Sequence, residues 1–312
     1  MTKVRILSPA KLNLYLEVLN KRPDGYHNIR SLFERISLSD ELTFRQSDNQ
    51  RIEIKSDAKD IPKDGRNLVY KAASLLRETL GIKKGVSIEI KKRIPAGSGL
   101  GGGSSNAASA LLALKKLWNL KLSQKKLFAY GSHLGSDVAF FLSGASFAVG
   151  EGRGEKIKPL AHFKKKFWHI IIVPDFKVST REIYDELDNL ENHKKLAFGQ
   201  DFQPVSVVGK VPCTFPYHNK RKIGLSARQL SQAVKLPLGN IIYNRLEEAT
   251  FRRYPKVREL KEALVSRGVR NAAMSGSGGA VFGMVNSRKE GLGLLESFKH
   301  CKNIRVFVAR TL

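Results

Sequence analysis

A glycine-rich stretch, PAGSGLGGGSS at residues 95–105, carries the pattern most suggestive of chemistry in this chain. Glycines let backbone N–H groups approach an anion closely, and a helix that begins beside such a loop directs its positive end at the same place. Basic residues at 91–93 precede the stretch, and no acidic residue occurs between Glu89 and Asp137. The pattern predicts a cradle for a polyphosphate. If the stretch binds no ligand, it is instead a flexible linker or a tight turn.

Better-defined phosphate motifs fit this stretch poorly. Gly97, Gly99 and Gly102 match the G-x-G-x-x-G pattern of dinucleotide-binding folds, but the acidic residue expected about 20 positions later is missing. A Walker-type loop requires Gly-Lys-Ser/Thr at the helix start, where this chain has GSS at 103–105. A protein kinase is also disfavoured, because the chain has no H-R-D catalytic loop.

Three further segments carry polar groups that can act on a phosphate. SPAKLNLYL places Lys11 and Asn13 on one face of a strand and leucines on the other, although a lone lysine on a strand is usually solvated. GSDVAFFL places Asp137 at the head of an apolar run, where a capping or turn role is equally compatible. MSGSGGAVFG at 274–283 is a second glycine-rich loop or a hairpin turn.

The elements that position these residues follow from the spacing of apolar residues. Residues 152–160 indicate a connector, and residues 192–225 show no clear pattern. Strands mixed with helices, with early antiparallel-looking pairs, predict an α+β fold. Strands are predicted on either side of Pro9, twice between 41 and 54, and at 86–90, 145–149, 168–173, 280–285 and 304–309, and helices at 67–80, 105–118, 124–134, 226–234 and 257–267.

The composition disfavours several classes of protein. The 312 residues include 55 basic and 28 acidic side chains, a formal charge of +27, but no zinc-finger, RNP or helix-turn-helix pattern, so nucleic acid is disfavoured as the main partner. A basic surface that attracts anionic substrates explains the charge equally well. At the N-terminus apolar residues alternate with polar ones, so a signal peptide is not expected. No apolar run reaches the length of a membrane span. Cys213 and Cys301 lack metal-site spacing and indicate reduced thiols in a cytoplasmic protein.

Taken together, these segments resemble the GHMP kinases, a family named for galactose, homoserine, mevalonate and phosphomevalonate substrates. The resemblance rests on Pro9 with Asn13 in the first strand, on the stretch at 95–105 and on the late glycine loop. It implies a two-domain α+β GHMP kinase fold with the active site in the inter-domain cleft, residues 1–158 forming the ATP-binding domain and 159–312 the C-terminal domain. The matching segments, in family order, are PAKLNLYLEVLNKRPDGYHNIRSLF, GLGGGSSNAA, GSDVAFFLSG, GEGRGEKI and MSGSGGAVFG.

The resemblance implies an ATP-dependent kinase that phosphorylates an alcohol of a small molecule. Lys11 and Asp137 match the family's catalytic pair, in which the carboxylate accepts the hydroxyl proton and the ammonium stabilises charge on the oxygens. Mg²⁺ is implied as an ion that bridges phosphate oxygens, and no metal site of the protein's own is expected. ATP is implied to bind near Asn67, at the adenine, and along Pro95, Ala96, Gly97, Ser98, Gly99, Leu100, Gly101, Gly102, Gly103, Ser104 and Ser105.

Within the family, the match is greatest to members that phosphorylate the 2-hydroxyl of an erythritol unit linked to cytidine diphosphate, in non-mevalonate isoprenoid synthesis. Tyr26 and Tyr184 are implied to stack on the base, and His27 to hydrogen-bond its edge. Kinases of the homoserine or mevalonate type are alternatives, although their substrates carry no base, and so is a non-catalytic basic protein that binds RNA. The implied substrate-binding residues are Asn13, Tyr26, His27, Thr180 and Tyr184.

The match departs from the family pattern in two places. Arg245 stands where the family usually has Asp, although Asn244, Leu246 and Glu247 fit, and residues 192–225 match poorly. No membrane partner is expected, and the chain is expected to be a monomer or a weak homodimer.

Overall fold

The computed structural model describes residues 3–198, 224–233, 241–269 and 271–312, and places them in two sheets with helices packed against each. This arrangement confirms the predicted α+β class. The first sheet contains β1 (Lys3–Lys21), β2 (His27–Ser47), β3 (Ile52–Ser56), β4 (Gly85–Lys91), β5 (Phe147–Glu151), β6 (Lys156–Pro159) and β8 (Tyr243–Asn244). Its order is β3-β4-β2-β1-β8, with β5 paired to β2 and β6 to β5.

The long antiparallel pair of β1 and β2 forms the centre of the first sheet. Leu12, Leu14 and Leu16 are all buried, and so are Lys11 and Asn13 between them, because both faces of β1 are covered here. Strand structure on either side of Pro9 is confirmed, and β1 continues through the proline as one strand. The register shifts between Pro9 and Ala10, as occurs where a residue without an N–H interrupts a ladder.

Helices cover one face of the first sheet and build its core. They are α1 (Leu68–Leu80), α2 (Gly102–Leu117), α3 (Gln124–Leu134) and α4 (Val138–Leu142). The buried side of α2 is made largely of alanines at 107, 108, 110 and 113, and α2 packs against both central strands. Its start lies three residues before the predicted one, inside the glycine stretch, because Gly101 adopts a left-handed conformation immediately before the first helical residue.

The second sheet has four strands, in the order β11-β7-β10-β9 with the ranges given below. Periodicity alone missed three helices of this half, because Thr180–Phe198 is highly polar, Glu247–Arg253 is short, and Arg288–Ser297 contains two glycines. The strands are β7 (Trp168–Pro174), β9 (Ala272–Met274), β10 (Val281–Val285) and β11 (Ile304–Arg310). The helices are α5 (Thr180–Phe198), α6 (Ala227–Ala233), α7 (Glu247–Arg253), α8 (Pro255–Ser266) and α9 (Arg288–Ser297).

Apolar residues of both sheets meet in a shared core, to which β1 contributes Leu12 and Leu14. A buried polar cluster crosses the same junction. Glu34 Oε1 lies 2.9 Å from His169 Nε2 and accepts a hydrogen bond of 2.5 Å from Thr311 Oγ1. The two sheets are therefore joined both by apolar packing and by a sealed acid–base pair.

The proposed division at 158/159 stays a prediction. β6 runs across this position, and β8 brings residues from the C-terminal half into the first sheet. Cys213, Val234 and most of the 192–225 region lie outside the described residues, while Cys301 is exposed. Within the described ranges, no helix has both the length and the apolar character that crossing a membrane requires.

Candidate active site

The first glycine loop, residues 95–105, leads from β4 into α2. Gly97, Gly99 and Gly101 have φ angles of 68°, 82° and 70°, in the left-handed region that favours glycine. Gly101 caps α2 without a side-chain hydrogen bond, so the N–H groups of the first helical turn receive no acceptor from the capping residue. A helix N-terminus of this kind is suited to bind an anion.

The second glycine loop, residues 274–283, closes the hairpin between β9 and β10 and packs directly against the first. Ala280 N donates to Ser98 O at 3.0 Å. A Cβ at Gly99 would lie 2.1 Å from Ser275 O, and one at Gly278 would lie 2.2 Å from Gly99 N. These glycines are therefore required by the contact between the loops, which the sequence alone did not indicate.

Lys11 and Asp137, the predicted catalytic pair, lie together beside the first glycine loop. Lys11 Nζ is 3.3 Å from Asp137 Oδ2, and the two side chains are 5% and 27% exposed. The backbone N–H of Lys11 donates to Leu100 O at 2.9 Å, and a Cβ at Gly101 would lie 2.9 Å from Lys11 Cγ. Asp137 precedes α4 without capping it through its side chain, which leaves the carboxylate available to Lys11.

Asn13, two residues along β1, holds the lysine in place. Its Oδ1 accepts a hydrogen bond from Lys11 Nζ, its Nδ2 donates to Ser31 Oγ at 2.8 Å, and its backbone N–H donates to Ser275 Oγ at 3.3 Å. Both ends of the amide are used within the protein, and its contact with substrate stays a prediction. Ser275 belongs to the second glycine-rich segment found in the sequence, whereas Ser31 carries no local pattern that would single it out.

The turn between β1 and β2 presents the residues predicted to meet the base. Gly25 has a φ of 82°, and Tyr26 N donates to Asp24 Oδ1 at 3.2 Å, so Asp24 and Gly25 form a tight turn. Tyr26 is 57% exposed. His27 is buried, with Nε2 2.8 Å from Asp188 Oδ1. The turn therefore displays an exposed aromatic ring beside a histidine held in one orientation.

Arg153 and Tyr184 extend this aromatic group. The Arg153 guanidinium carbon lies 5.0 Å from the Tyr26 ring centroid, a cation–π contact that sequence analysis missed. The rings of His27 and Tyr184 stack with centroids 5.0 Å apart. Burial, together with the charge of Asp137, raises the pKa of Tyr184.

Helix α5 connects the turn to the second glycine loop. Asp188 accepts a hydrogen bond of 2.6 Å from Lys21 Nζ and also contacts His27. Although burial raises the pKa of Asp188, the hydrogen bonds from Lys21 and His27 outweigh it and hold that pKa below its usual value. At the start of α5, Thr180 Oγ1 lies 2.7 Å from Ser277 Oγ. These contacts fix the helix that carries Tyr184.

Asn67, predicted to lie near the adenine, caps α1. Its Oδ1 accepts from Val69 N at 2.9 Å, and its Nδ2 donates to Pro62 O at 2.7 Å. The start of α1 lies close to that of α2, since a Cβ at Gly103 would be 3.7 Å from Leu68 Cδ1. Capping by itself accounts for an asparagine at this position, and the adenine contact stays a prediction.

The segment around Arg245, where the sequence departs from the family pattern, supports the second glycine loop. Asn244 Nδ2 donates to Met274 O at 2.8 Å. Arg245 instead pairs with Glu191 at 3.2 Å and Glu248 at 2.8 Å. The unusual arginine is therefore accommodated by acidic neighbours, and the loop contact from Asn244 is made beside it.

Known proteins match this chain over nearly its whole length. The family model for the GHMP kinases N terminal domain matches residues 67–145, and that for GHMP kinases C terminal matches residues 228–301. The chain is 38% identical over 283 residues to a 4-diphosphocytidyl-2-C-methyl-D-erythritol kinase of Geobacillus sp. (strain WCH70), covering 91% of this chain and 88% of the relative. It is 37% identical over 305 residues to the enzyme of that name from Thermodesulfovibrio yellowstonii, covering 96% of each.

The fold matches as well. The crystal structure of a 4-(cytidine 5'-diphospho)-2C-methyl-D-erythritol kinase aligns with a TM-score of 0.73 at 31% identity, covering 98% of this chain and 99% of the other. The resemblance inferred from the motifs is thereby confirmed. The chain belongs to the 4-diphosphocytidyl-2-C-methyl-D-erythritol kinase family of the GHMP kinases and is an ATP-dependent small-molecule kinase.

Proposed function

We propose that this kinase transfers the γ-phosphate of ATP to the 2-hydroxyl of 4-diphosphocytidyl-2-C-methyl-D-erythritol, a step of non-mevalonate isoprenoid synthesis. The observation that carries the proposal is the ion pair between Lys11 and Asp137 beside the first glycine loop. The substrate is the one named for the relatives that match the chain over nearly its full length.

The first glycine loop supports binding of the triphosphate. Phosphate oxygens would accept hydrogen bonds from the N–H groups at the start of α2, whose cap residue supplies no side-chain acceptor. The entry to the loop is fixed by the buried Asp40, which accepts from Arg93 N at 2.7 Å and from Ile94 N at 2.8 Å and also pairs with Lys92. A rigid entry keeps the phosphate donors in position before the nucleotide arrives.

Asp137 is suited to accept the proton of the attacking hydroxyl. Its carboxylate is partly exposed, so a substrate can reach it, and general-base help of this kind accelerates reactions by about 10²–10⁴-fold. Lys11, buried and held by Asn13, orients that carboxylate and stabilises charge on the transferred phosphoryl oxygens. Phosphoryl transfer depends on alignment and charge compensation, and this pair supplies both.

The turn at 24–27 supports recognition of the cytidine. The exposed Tyr26 ring offers a face for stacking, and base–aromatic stacking contributes ~1–3 kcal/mol per base. Because His27 Nε2 contacts Asp188, a hydrogen bond from His27 to the base would have to use another of its polar groups. Homoserine and mevalonate carry no base, so Tyr26 and His27 would have no base to contact with either substrate.

Mg²⁺ fits the site as an ion carried by the phosphates. Among the described residues, no group of three or more His, Cys, Asp or Glu is arranged to hold a metal ion. Asp137 offers a partly exposed carboxylate oxygen, the hard donor that Mg²⁺ prefers, and phosphate oxygens and water would provide the other ligands. When bound, the ion would neutralise charge on the phosphate oxygens.

Release of ADP tests the proposed substrate. The purified protein is incubated with ATP, Mg²⁺ and either 4-diphosphocytidyl-2-C-methyl-D-erythritol, homoserine or mevalonate. We expect ADP to form rapidly only with the first. ADP formation with homoserine or mevalonate alone would reject the proposed substrate while leaving the kinase family intact.

We also propose that the reaction takes place in the cytoplasm and that the two domains divide at 158/159. The protein is proposed to act as a monomer or weak homodimer. Light scattering of the purified protein over a range of concentrations measures the oligomeric state. A stable higher oligomer would contradict the proposed monomer or weak homodimer.

A further inference from the structure

An exposed ion pair crosses the first glycine loop at Gly97. Lys177 Nζ lies 3.0 Å from Asp60 Oδ2, and both side chains are more than half exposed. A Cβ placed at Gly97 would lie 3.1 Å from Lys177 Cγ, so the lysine stem covers this glycine and the ammonium extends beyond it. Lys177 follows β7, and Asp60 belongs to the segment that leads to Asn67. The pair therefore joins the two halves of the molecule across the loop.

The backbone that carries Lys177 is fixed on both sides. The ring of Phe176 stacks on that of Tyr254, with centroids 5.7 Å apart and planes 11° apart. Val178 is buried in the core of the second sheet. Asp60 lies in an irregular segment between β3 and α1. The direction of Lys177 toward Gly97 is thus set by the scaffold, and Asp60 is the partner that can be exchanged.

Charge determines what can replace Asp60. The hydrogen bond from Lys177 lowers the pKa of Asp60, so the carboxylate is charged near neutral pH. An ion pair this exposed contributes little to stability. A triphosphate presents more negative charge than one carboxylate. A nucleotide in the first glycine loop would therefore compete successfully for the ammonium.

We infer that the pair is a gate over the nucleotide subsite, in which Lys177 binds the phosphates of ATP and Asp60 competes for Lys177 when the nucleotide is absent. The inference rests on the proposed binding of ATP to the first glycine loop. It predicts that the two residues have opposite effects on nucleotide affinity, because one is a ligand and the other is its competitor.

The affinity for a non-hydrolysable ATP analogue, measured by calorimetry at low salt, tests this. Lys177→Met should weaken binding about tenfold, and Asp60→Asn should strengthen it about threefold. The double variant should behave like Lys177→Met alone, since the competitor has no effect once the ligand is gone. A purely structural role for the pair would instead weaken both single variants alike.

A second exposed ion pair provides the matched control. Lys299 and Glu296 lie 2.7 Å apart with both side chains 63% exposed, and Lys299→Met and Glu296→Gln should leave the affinity unchanged. Thermal unfolding of every variant verifies that it is folded. Equal changes in Lys177→Met and Asp60→Asn, or no change in either, would overturn the gate alone. Failure of the unaltered protein to bind the analogue would reject the proposed function and the gate together.

Discussion

Two acid–base pairs in this kinase differ in their access to solvent. Lys11 and Asp137 approach to 3.3 Å, and the aspartate is 27% exposed. Glu34 and His169 approach to 2.9 Å, and neither side chain is exposed. A pair that a substrate can reach can exchange a proton with it, whereas a sealed pair can only join the elements that carry it. Accessibility, rather than closeness of the pair, separates the catalytic role from the structural one.

The largest effect is expected at the accessible pair. Asp137→Asn removes the proton acceptor, so kcat should fall by about 10² or more, with little change in thermal unfolding. Steady-state kinetics and calorimetry measure both. Asp185→Asn removes an equal charge from an exposed position on α5 and serves as the control. A near-normal kcat in Asp137→Asn would exclude this residue from the proposed mechanism.

The sealed pair should give the opposite result. His169→Leu leaves the buried Glu34 with Thr311 as its remaining partner, and removing a hydrogen-bond partner from a buried polar group costs about 1–3 kcal/mol of the free energy of unfolding. Within the part of the chain that the structure describes, Glu34 Oε2 and His169 Nδ1 have no hydrogen-bond partner, so little is left to compensate. Denaturant unfolding measures the loss. Unchanged stability with a strongly reduced kcat would reverse the comparison.

The contact between the two glycine loops should affect both the stability of the fold and the binding of ATP. An alanine at Gly99 would place Cβ 2.1 Å from Ser275 O, in a backbone conformation that alanine disfavours. We expect a loss of about 1–3 kcal/mol in stability together with a raised KM for ATP. Gly293→Ala on α9 is the control, because a Cβ there would meet no heavy atom of the described residues within 4 Å. Equal behaviour of the two variants would show that the loops do not depend on each other.

The smallest effect concerns Asp188, whose pKa in the folded protein lies below the unfolded value of 3.8. A carboxyl with a lowered pKa stabilises the fold above its unfolded pKa, and that contribution is lost as the pH falls through the folded pKa. Asp188→Asn should therefore cost less than about 1 kcal/mol at neutral pH, and this cost should begin to fall below pH 3.8 and vanish once the pH is below the folded pKa. Urea unfolding across that range measures it. A cost that grows on acidification would contradict a lowered pKa of Asp188 in the folded protein.

The resemblance to the GHMP kinases singled out Lys11 and Asp137, and the structure brings their side chains to 3.3 Å from each other, while their catalytic role stays a prediction. Lys11 alternates with buried leucines along β1, and Asp137 is the first acidic residue after the glycine stretch. The turn at Asp24-Gly25 and the N-terminal boundary of α1 at Asn67 also follow from local chemistry. These features depend on neighbours in the chain, which a single sequence displays.

The sealed pair and the contact between the loops could not be predicted in the same way. Glu34, His169 and Thr311 lie far apart in the chain, and nothing local indicates that they meet. The glycine at 99 suggests a ligand, yet its immediate neighbour is the second glycine loop. Contacts of this kind are set by how the two sheets pack, which local periodicity does not encode.

A crystal structure with a non-hydrolysable ATP analogue and 4-diphosphocytidyl-2-C-methyl-D-erythritol tests the central claim most directly. We expect the triphosphate to accept hydrogen bonds from backbone N–H groups of the first glycine loop, and the 2-hydroxyl to lie about 2.6–3.2 Å from the Asp137 carboxylate. A triphosphate bound elsewhere, or a hydroxyl remote from both Asp137 and Lys11, would contradict it.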